Sequence, residues 1–393
     1  MLDVDDVRVE DGTGPPGGRR RGGLARFLLS GDGWPYLLLP FIPLAIGLEI
    51  AHAGSALIFF TSAIGVIPTA AAMGTATEEL ADRAGPGIGG LLNVTFGNLP
   101  ELLIAFFALR EGLHEVVKAS IIGSVLGNVL LVLGGSMLVG GLRRDRQTFN
   151  RRAASSQATM LILASAALSI PAIFQLVKGG GLPLPGAQLV TFSNSVENLS
   201  LTVAIVLLLA YAGGLWFSLM SHRDLFNPPD DEDDESDEGR GWTVKRSVTV
   251  LAIAGLAVGV MSEILVGSIA ETAESMGLSE FFIGAVIVAV VGNAAEHWVA
   301  VYVAAKDKMD LAVNIAVGSA AQVALFVGPL LVVISFFVGP SPLALVFNGF
   351  ELGGVLMAVI IASHVTSQGE STWFQGLMLL ALYAVLAAAF LFA

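Results

Sequence analysis

Stretches of about twenty apolar residues recur from one end of this chain to the other, and that pattern decides the solvent in which it folds. Eleven such runs can be drawn, at 35–52, 55–80, 87–109, 116–138, 153–177, 196–220, 243–266, 281–304, 311–337, 343–364 and 373–392. Charged residues make up only 13% of the 393 positions, against 54% hydrophobic. That charged share is roughly half the soluble-domain value, so lipid is the expected solvent. A backbone crossing lipid must satisfy its own hydrogen bonds, which favours helices. The expected fold is an all-α membrane protein of eleven transmembrane helices.

Charge placement orients those spans. With the N-terminus cytoplasmic, all but Arg110, Lys118 and Lys178 of the twenty Lys and Arg fall in cytoplasmic segments, the bias that membrane insertion follows. Eleven crossings then leave the C-terminus outside. The expected location is a prokaryotic plasma membrane. Residues 1–33 are acidic, then Gly/Pro-rich, then basic, with no early apolar stretch, so they are read as a disordered cytoplasmic tail. Much of the net charge of −13 sits in that tail and in the run at 230–238. A block of like charge is solvated rather than a nucleic-acid signature. The chain has no cysteine, which excludes disulfides, thiolate metal sites and cysteine nucleophiles.

An internal repeat runs through the spans. Gly97-Asn98-Leu99-Pro100-Glu101 recurs as Gly292-Asn293-Ala294-Ala295-Glu296, each in mid-span. Upstream, Thr77-Glu78-Glu79-Leu80 resembles Ser262-Glu263-Ile264-Leu265. Downstream, Gly123-Ser124 with Asn128 matches Gly318-Ser319 with Gln322, offset by one residue. Spans two to six therefore match spans seven to eleven. Five is an odd number, so the halves face opposite ways, an inverted repeat with its site near the midplane. The expected divisions are a tail (1–33), a first helix (34–54), a first five-helix repeat (55–226), an acidic cytoplasmic linker (227–241) and a second five-helix repeat (242–393).

A carboxylate in mid-membrane costs several kcal/mol and normally has a function or a partner. Glu101 and Glu296, one per half at equal depth, converge if the halves pack face to face. Asn98 and Asn293 lie three residues before them, on the same helix face. Carboxylates and amide oxygens are the hard ligands that Ca²⁺ takes. Ser124, Asn128, Ser319 and Gln322 can line the same metal site from neighbouring helices. Burial favours a protonated carboxyl group and a divalent cation favours the ionised one, so one pair of acids can exchange Ca²⁺ for protons. The other reading of Asn-x-x-Glu is a capped helix start, in which Pro100 would sit comfortably in the first turn.

His297 titrates near neutrality when free and either tunes the proton step or packs on another face. His52, His114, His222 and His364 lie near span ends and are read as interfacial. Glu78, Glu79 and Glu263 are read either as an acidic cytoplasmic vestibule that concentrates cations or as ordinary interfacial charge. The run at 230–238 is read as solvated linker, with cation-dependent regulation as the sharper alternative. No nucleophile–base arrangement, nucleotide motif or EF-hand loop is present, so an enzyme is not expected.

At these residues the chain resembles the calcium/proton (cation/proton) exchangers of the calcium/cation antiporter superfamily. The match rests on GLLNVTFGNLPELL at 90–103 and VVGNAAEH at 290–297. KASIIGSVLGNVLLVLG at 118–134, FSLMSHRDLF at 217–226, KDKMDLAVNIAVGSAAQVALFV at 306–327 and GESTWFQG at 369–376 support it. The resemblance implies an antiporter that exports cytoplasmic Ca²⁺ against inward proton flow, with one helix ahead of two inverted five-helix repeats. It assigns ion binding to Glu101 and Glu296, paired amides to Asn98 and Asn293, and supporting oxygens to Ser124, Asn128, Ser319 and Gln322. It places acidic residues of the cytoplasmic side at Glu78 and Glu263. Ala321 departs from the pattern, since relatives often carry a hydroxyl residue there. Cation preference is left open by that departure. The alternatives are monovalent cation/proton or Na⁺/Ca²⁺ exchange, and a passive channel or cation sensor. No cofactor is expected. The partners are the transported Ca²⁺ and protons and the lipid bilayer, with no nucleic acid; a homo-oligomer is left open.

Overall fold

The computed structural model describes residues 33–186, 191–217 and 241–393. All but the last residue of the expected tail over 1–33, the acidic run at 230–238, and His222 with its neighbours lie outside the described residues. The described chain is almost wholly helical. A short 3-10 turn (Trp34–Leu38) leads into α1 (Phe41–Ile50). Then come α2 (Ser55–Gly97), α3 (Leu99–Arg110), α4 (His114–Gly141), α5 (Arg151–Val177) and α6 (Asn194–Trp216). After the linker follow α7 (Val244–Gly267), α8 (Ile269–Met276), α9 (Glu280–Gly292) and α10 (Ala294–Ala305). The chain ends with α11 (Met309–Ser335), α12 (Gly349–Thr366) and α13 (Trp373–Leu391).

Among the described residues, eight helices are long and apolar enough to cross a membrane, and up to ten spans result if each of two sharply bent pairs counts as one. The chain doubles back inside α2. A methyl group on Gly89 would lie 2.4 Å from the Ala81 carbonyl oxygen, whereas eight residues of straight helix would separate the two by about 12 Å. This reversal stands where the hydropathy pattern divides spans two and three. The pattern gives no sign of α8, which meets α9 at 118°.

Packing is reciprocal between the halves. α2 lies along α7; α4 packs on α13, and the end of α11 packs on α6. α5 packs on α12. α4 is the central helix, with 89% of its apolar window buried, whereas α6 and α13 bury only 22% and 17% and face outward. Side-chain burial against lipid gives no hydrophobic drive, so close approach comes from small residues. A methyl group on Gly123 of α4 would fall 2.1 Å from the Ala285 carbonyl oxygen of α9, and one on Gly284 would fall 2.9 Å from that of Val116. A two-residue antiparallel pair, β1 (Gln147–Thr148) with β2 (Glu370–Ser371), ties the two halves together at one end. Nearby, Gln147 donates to Ala304 and Asp307, and Arg144 pairs with Asp307 at 3.2 Å.

Candidate functional site

The repeated segment breaks a helix in both halves. Asn98 separates α2 from α3, and Asn293 separates α9 from α10. Each Asn occupies the position of a helix cap, yet neither side chain makes a capping hydrogen bond. The capped-start reading therefore explains where the helices restart but not what the amides do. They reach across instead. Asn98 Nδ2 donates to Gln322 Oε1 at 2.7 Å, and Asn293 Nδ2 donates to Ser124 Oγ at 3.2 Å. Asn128 Nδ2 donates to Ser319 Oγ at 3.2 Å. Each of these three bonds joins one half to the other. The Ser319 side chain is in turn hydrogen-bonded to Glu296.

The two carboxylates face each other's break. A methyl group on Gly292 would sit 3.5 Å from Glu101 Cγ, and one on Gly97 would sit 3.9 Å from Glu296 Oε1. Glycine thus leaves room for a carboxylate from the opposite half at the residue just before each Asn. Glu101 and Glu296 are close enough for their charges to act on each other. Glu101 also lines a small cavity with Ser120, Ser124 and Gly292. Its Oε2 is buried and has no hydrogen-bond partner, and the same holds for Asn293 Oδ1. These are oxygen acceptors with unfilled capacity, where an unmet buried group costs about 1–3 kcal/mol. Among the described residues no three His, Cys, Asp or Glu cluster as metal ligands. A cation here would rely on two carboxylates plus amide and hydroxyl oxygens, the mixture that suits a hard ion.

All eight residues expected at the metal site are thus brought to one inter-half contact. α4 and α11 both depart from α-helical register beside it, in π-helical stretches at Gly127–Val132 and Val323–Val327. Such stretches are frequent at functional sites. His297 lies against α4, its Cε1 3.9 Å from where a methyl on Gly127 would sit. Ala321 is buried in the core.

Glu263 does not join Glu78 and Glu79 at one vestibule. Glu79 Oε2 accepts from the Trp242 backbone N–H at 2.6 Å, at the start of α7. Glu263 lies near the other end of α7, about 30 Å away along a helix, and pairs with Arg110 at 2.9 Å. The expected inverted repeat would itself put equivalent positions on opposite membrane faces. Glu78 is exposed, and its charge acts on Glu296. The Arg110 and Glu263 side chains are 48% and 54% exposed. Arg110→Ala is therefore expected to leave the thermal unfolding temperature essentially unchanged.

Fold and site together define an integral membrane protein with ionisable residues enclosed between its helices, the arrangement that marks ion pathways. The chain belongs to the sodium/calcium exchanger protein family, whose model matches residues 54–220 and 246–392. It is 43% identical over 350 residues to the Ca(2+)/H(+) antiporter ChaA of Bacillus subtilis (strain 168), which spans 89% of this chain and 96% of that protein. A solved structure of native YfkE is 40% identical and superposes with a TM-score of 0.77, covering 91% of this chain and all of that one. The H+/Ca2+ exchanger CAX shares the fold at 14% identity, with a TM-score of 0.67 and 93% of each chain covered.

Proposed function

We propose that this protein is a Ca²⁺/H⁺ antiporter that exports cytoplasmic Ca²⁺ by alternating access. The observation that carries the reading is the pair of carboxylates, one from each half, each set at a helix break and facing the glycine of the other. Relatives named for Ca(2+)/H(+) antiport, at 40–43% identity over most of the chain, support the choice of ions. Ionised Glu101 and Glu296 balance the two charges of Ca²⁺. Protons neutralise them for the return, so each cycle carries one kind of ion at a time. Asn98, Asn293, Ser124, Asn128, Ser319 and Gln322 supply or position the remaining oxygens. Exposed Glu78 attracts cations toward Glu296 from the cytoplasmic face.

The architecture that fits this role is eleven spans: α1 followed by two inverted five-helix repeats joined through the 227–241 linker. The reciprocal packing of α4 on α13 and of α11 on α6 favours it. So does the basic cytoplasmic bias, which puts the N-terminus inside and the C-terminus outside a prokaryotic plasma membrane.

Radiocalcium uptake into everted membrane vesicles tests the reading. Uptake is expected to persist without sodium and to collapse when the pH gradient is dissipated. Uptake that needs sodium, or that ignores the pH gradient, overturns it in favour of Na⁺/Ca²⁺ exchange or a channel. Within the site, Ser319→Ala and Asn128→Ala remove groups that orient Glu296. Each is expected to raise the half-saturating Ca²⁺ concentration by about 10–100-fold, read from the same uptake curves.

A further inference from the structure

A second group of ionisable side chains surrounds a separate cavity of about 40 Å³. His114, Glu115 and Lys118 of α4, Glu280 at the start of α9 and Glu351 in the first turn of α12 line it. The connecting segments add only uncharged residues around Pro183 and Pro342. In the orientation proposed above, all of these lie at the outer face.

Two observations besides the acidic grouping point to an occupant. Glu351 is 1% exposed. Its Oε2 accepts from the Asn348 backbone N–H at 2.7 Å, closing a capping box, but its Oε1 has no partner. His114 is 8% exposed, and its Nε2 also lacks a partner. Buried polar atoms are normally satisfied by protein or by ordered water. Space of 40 Å³ holds about three waters at the 10–15 Å³ each requires.

Lys118 argues for which ligand. Its Nζ donates to the Val346 carbonyl at 2.9 Å. Its charge acts on Glu115 and Glu351, yet among the described residues it forms no ion pair with either. Lys118, Glu115 and Glu351 all line the cavity. A resident positive charge disfavours a divalent cation, which also seeks six to eight oxygens. Carboxylate, imidazole and water are instead the parts of an intramembrane proton relay.

We propose that this cavity is an outer proton-loading site: its water takes up protons from the external face, Glu351 and His114 hold them, and Lys118 excludes divalent cations. The site connects to transport through two shared helices. Six residues beyond Lys118, about 9 Å along α4, Ser124 lines the cavity of Glu101. α9, which begins at Glu280, ends at Gly292 in that same cavity. The proposal rests on proton-coupled transport as read above.

Glu351→Gln tests it, because Gln at this position retains the capping box while removing the exchangeable proton. Full-length protein in proteoliposomes is assayed for radiocalcium uptake while lumenal pH, facing the outer side, is varied. The variant is expected to lose at least about tenfold in rate at acid lumenal pH, with half-saturating Ca²⁺ on the cytoplasmic side unchanged. An unaltered pH profile, or an altered Ca²⁺ half-saturation alone, overturns the proposal. His114→Gln serves as a second variant should the first fold poorly. Infrared difference spectra between acid and neutral pH read the site without transport. The variant should lose one protonated-carboxyl band, and its retention overturns the assignment. So does a Ca²⁺-induced shift of that carboxylate at neutral pH, which would mark a divalent site. Should the unsubstituted protein show no proton-driven uptake, the antiport reading fails, and the infrared band still decides whether Glu351 takes up a proton.

Discussion

Glutamine in place of either Glu101 or Glu296 is expected to cut proton-driven calcium uptake by at least about 100-fold. Gln retains the shape of Glu and one carbonyl acceptor, so the helices around it need not move. What it loses is the charge and the exchangeable proton. A divalent cation held between helices in a low-dielectric site needs both negative charges. Removing one partner of a buried ionic interaction costs about 3–5 kcal/mol, and each 1.4 kcal/mol is a factor of ten. Coupling suffers as well, since a site with one titratable acid cannot exchange one Ca²⁺ for the protons of two. The two variants should behave alike, because each carboxylate packs over the glycine of the opposite break. Radiocalcium uptake in everted vesicles measures the effect, with thermal unfolding as the control for folding. Uptake within twofold of the unsubstituted protein in either variant would remove the paired-acid mechanism.

The centre of this site was legible in the sequence because the chain writes it twice. Gly97-Asn98 and Gly292-Asn293 interrupt apolar spans at the same distance from a glutamate, and the structure breaks the helices at those two asparagines. What the amides bond to was not legible. Asn98 meets Gln322, 224 residues away, and that choice depends on how the halves pack. The π-helical stretches escaped as well, because hydropathy carries no trace of hydrogen-bond register. Glu263 was placed at the wrong face by treating it as the twin of Glu78 in position as well as in motif. In an inverted repeat the motif would be preserved and the side reversed. The outer cavity was missed because no repeated motif marks its members. His114, Glu280 and Glu351 come from three helices far apart in sequence, and their meeting is a property of the fold. One trace of it was present: Lys118 is an exception to the basic cytoplasmic bias.

A methyl group at Gly123 is expected to damage transport almost as severely as loss of a carboxylate, although it changes no charge. The new Cβ would lie 2.1 Å from the Ala285 carbonyl oxygen and 2.7 Å from its carbon. Both atoms are backbone, so no side chain can rotate aside, and α9 must move away from α4. Overpacking that can relax costs about 1–3 kcal/mol; here the relaxation itself displaces the site. α4 carries Ser124 next to Gly123, and α9 leads to Asn293, whose amide donates to that serine at 3.2 Å. Separating the helices by about 1 Å takes this contact beyond hydrogen-bond range and shifts Gly292 from beneath Glu101. Gly123→Ala should therefore lower both thermal stability and uptake. Gly255→Ala on α7 is the matched control, since a methyl there meets nothing within 4 Å and alanine favours a helix by about 0.5–1 kcal/mol over glycine. If the two variants proved indistinguishable in unfolding temperature and uptake, the close α4–α9 contact would not be what holds the halves in register. If only Gly123→Ala fails, the site depends on a separation between the two halves that glycine alone permits.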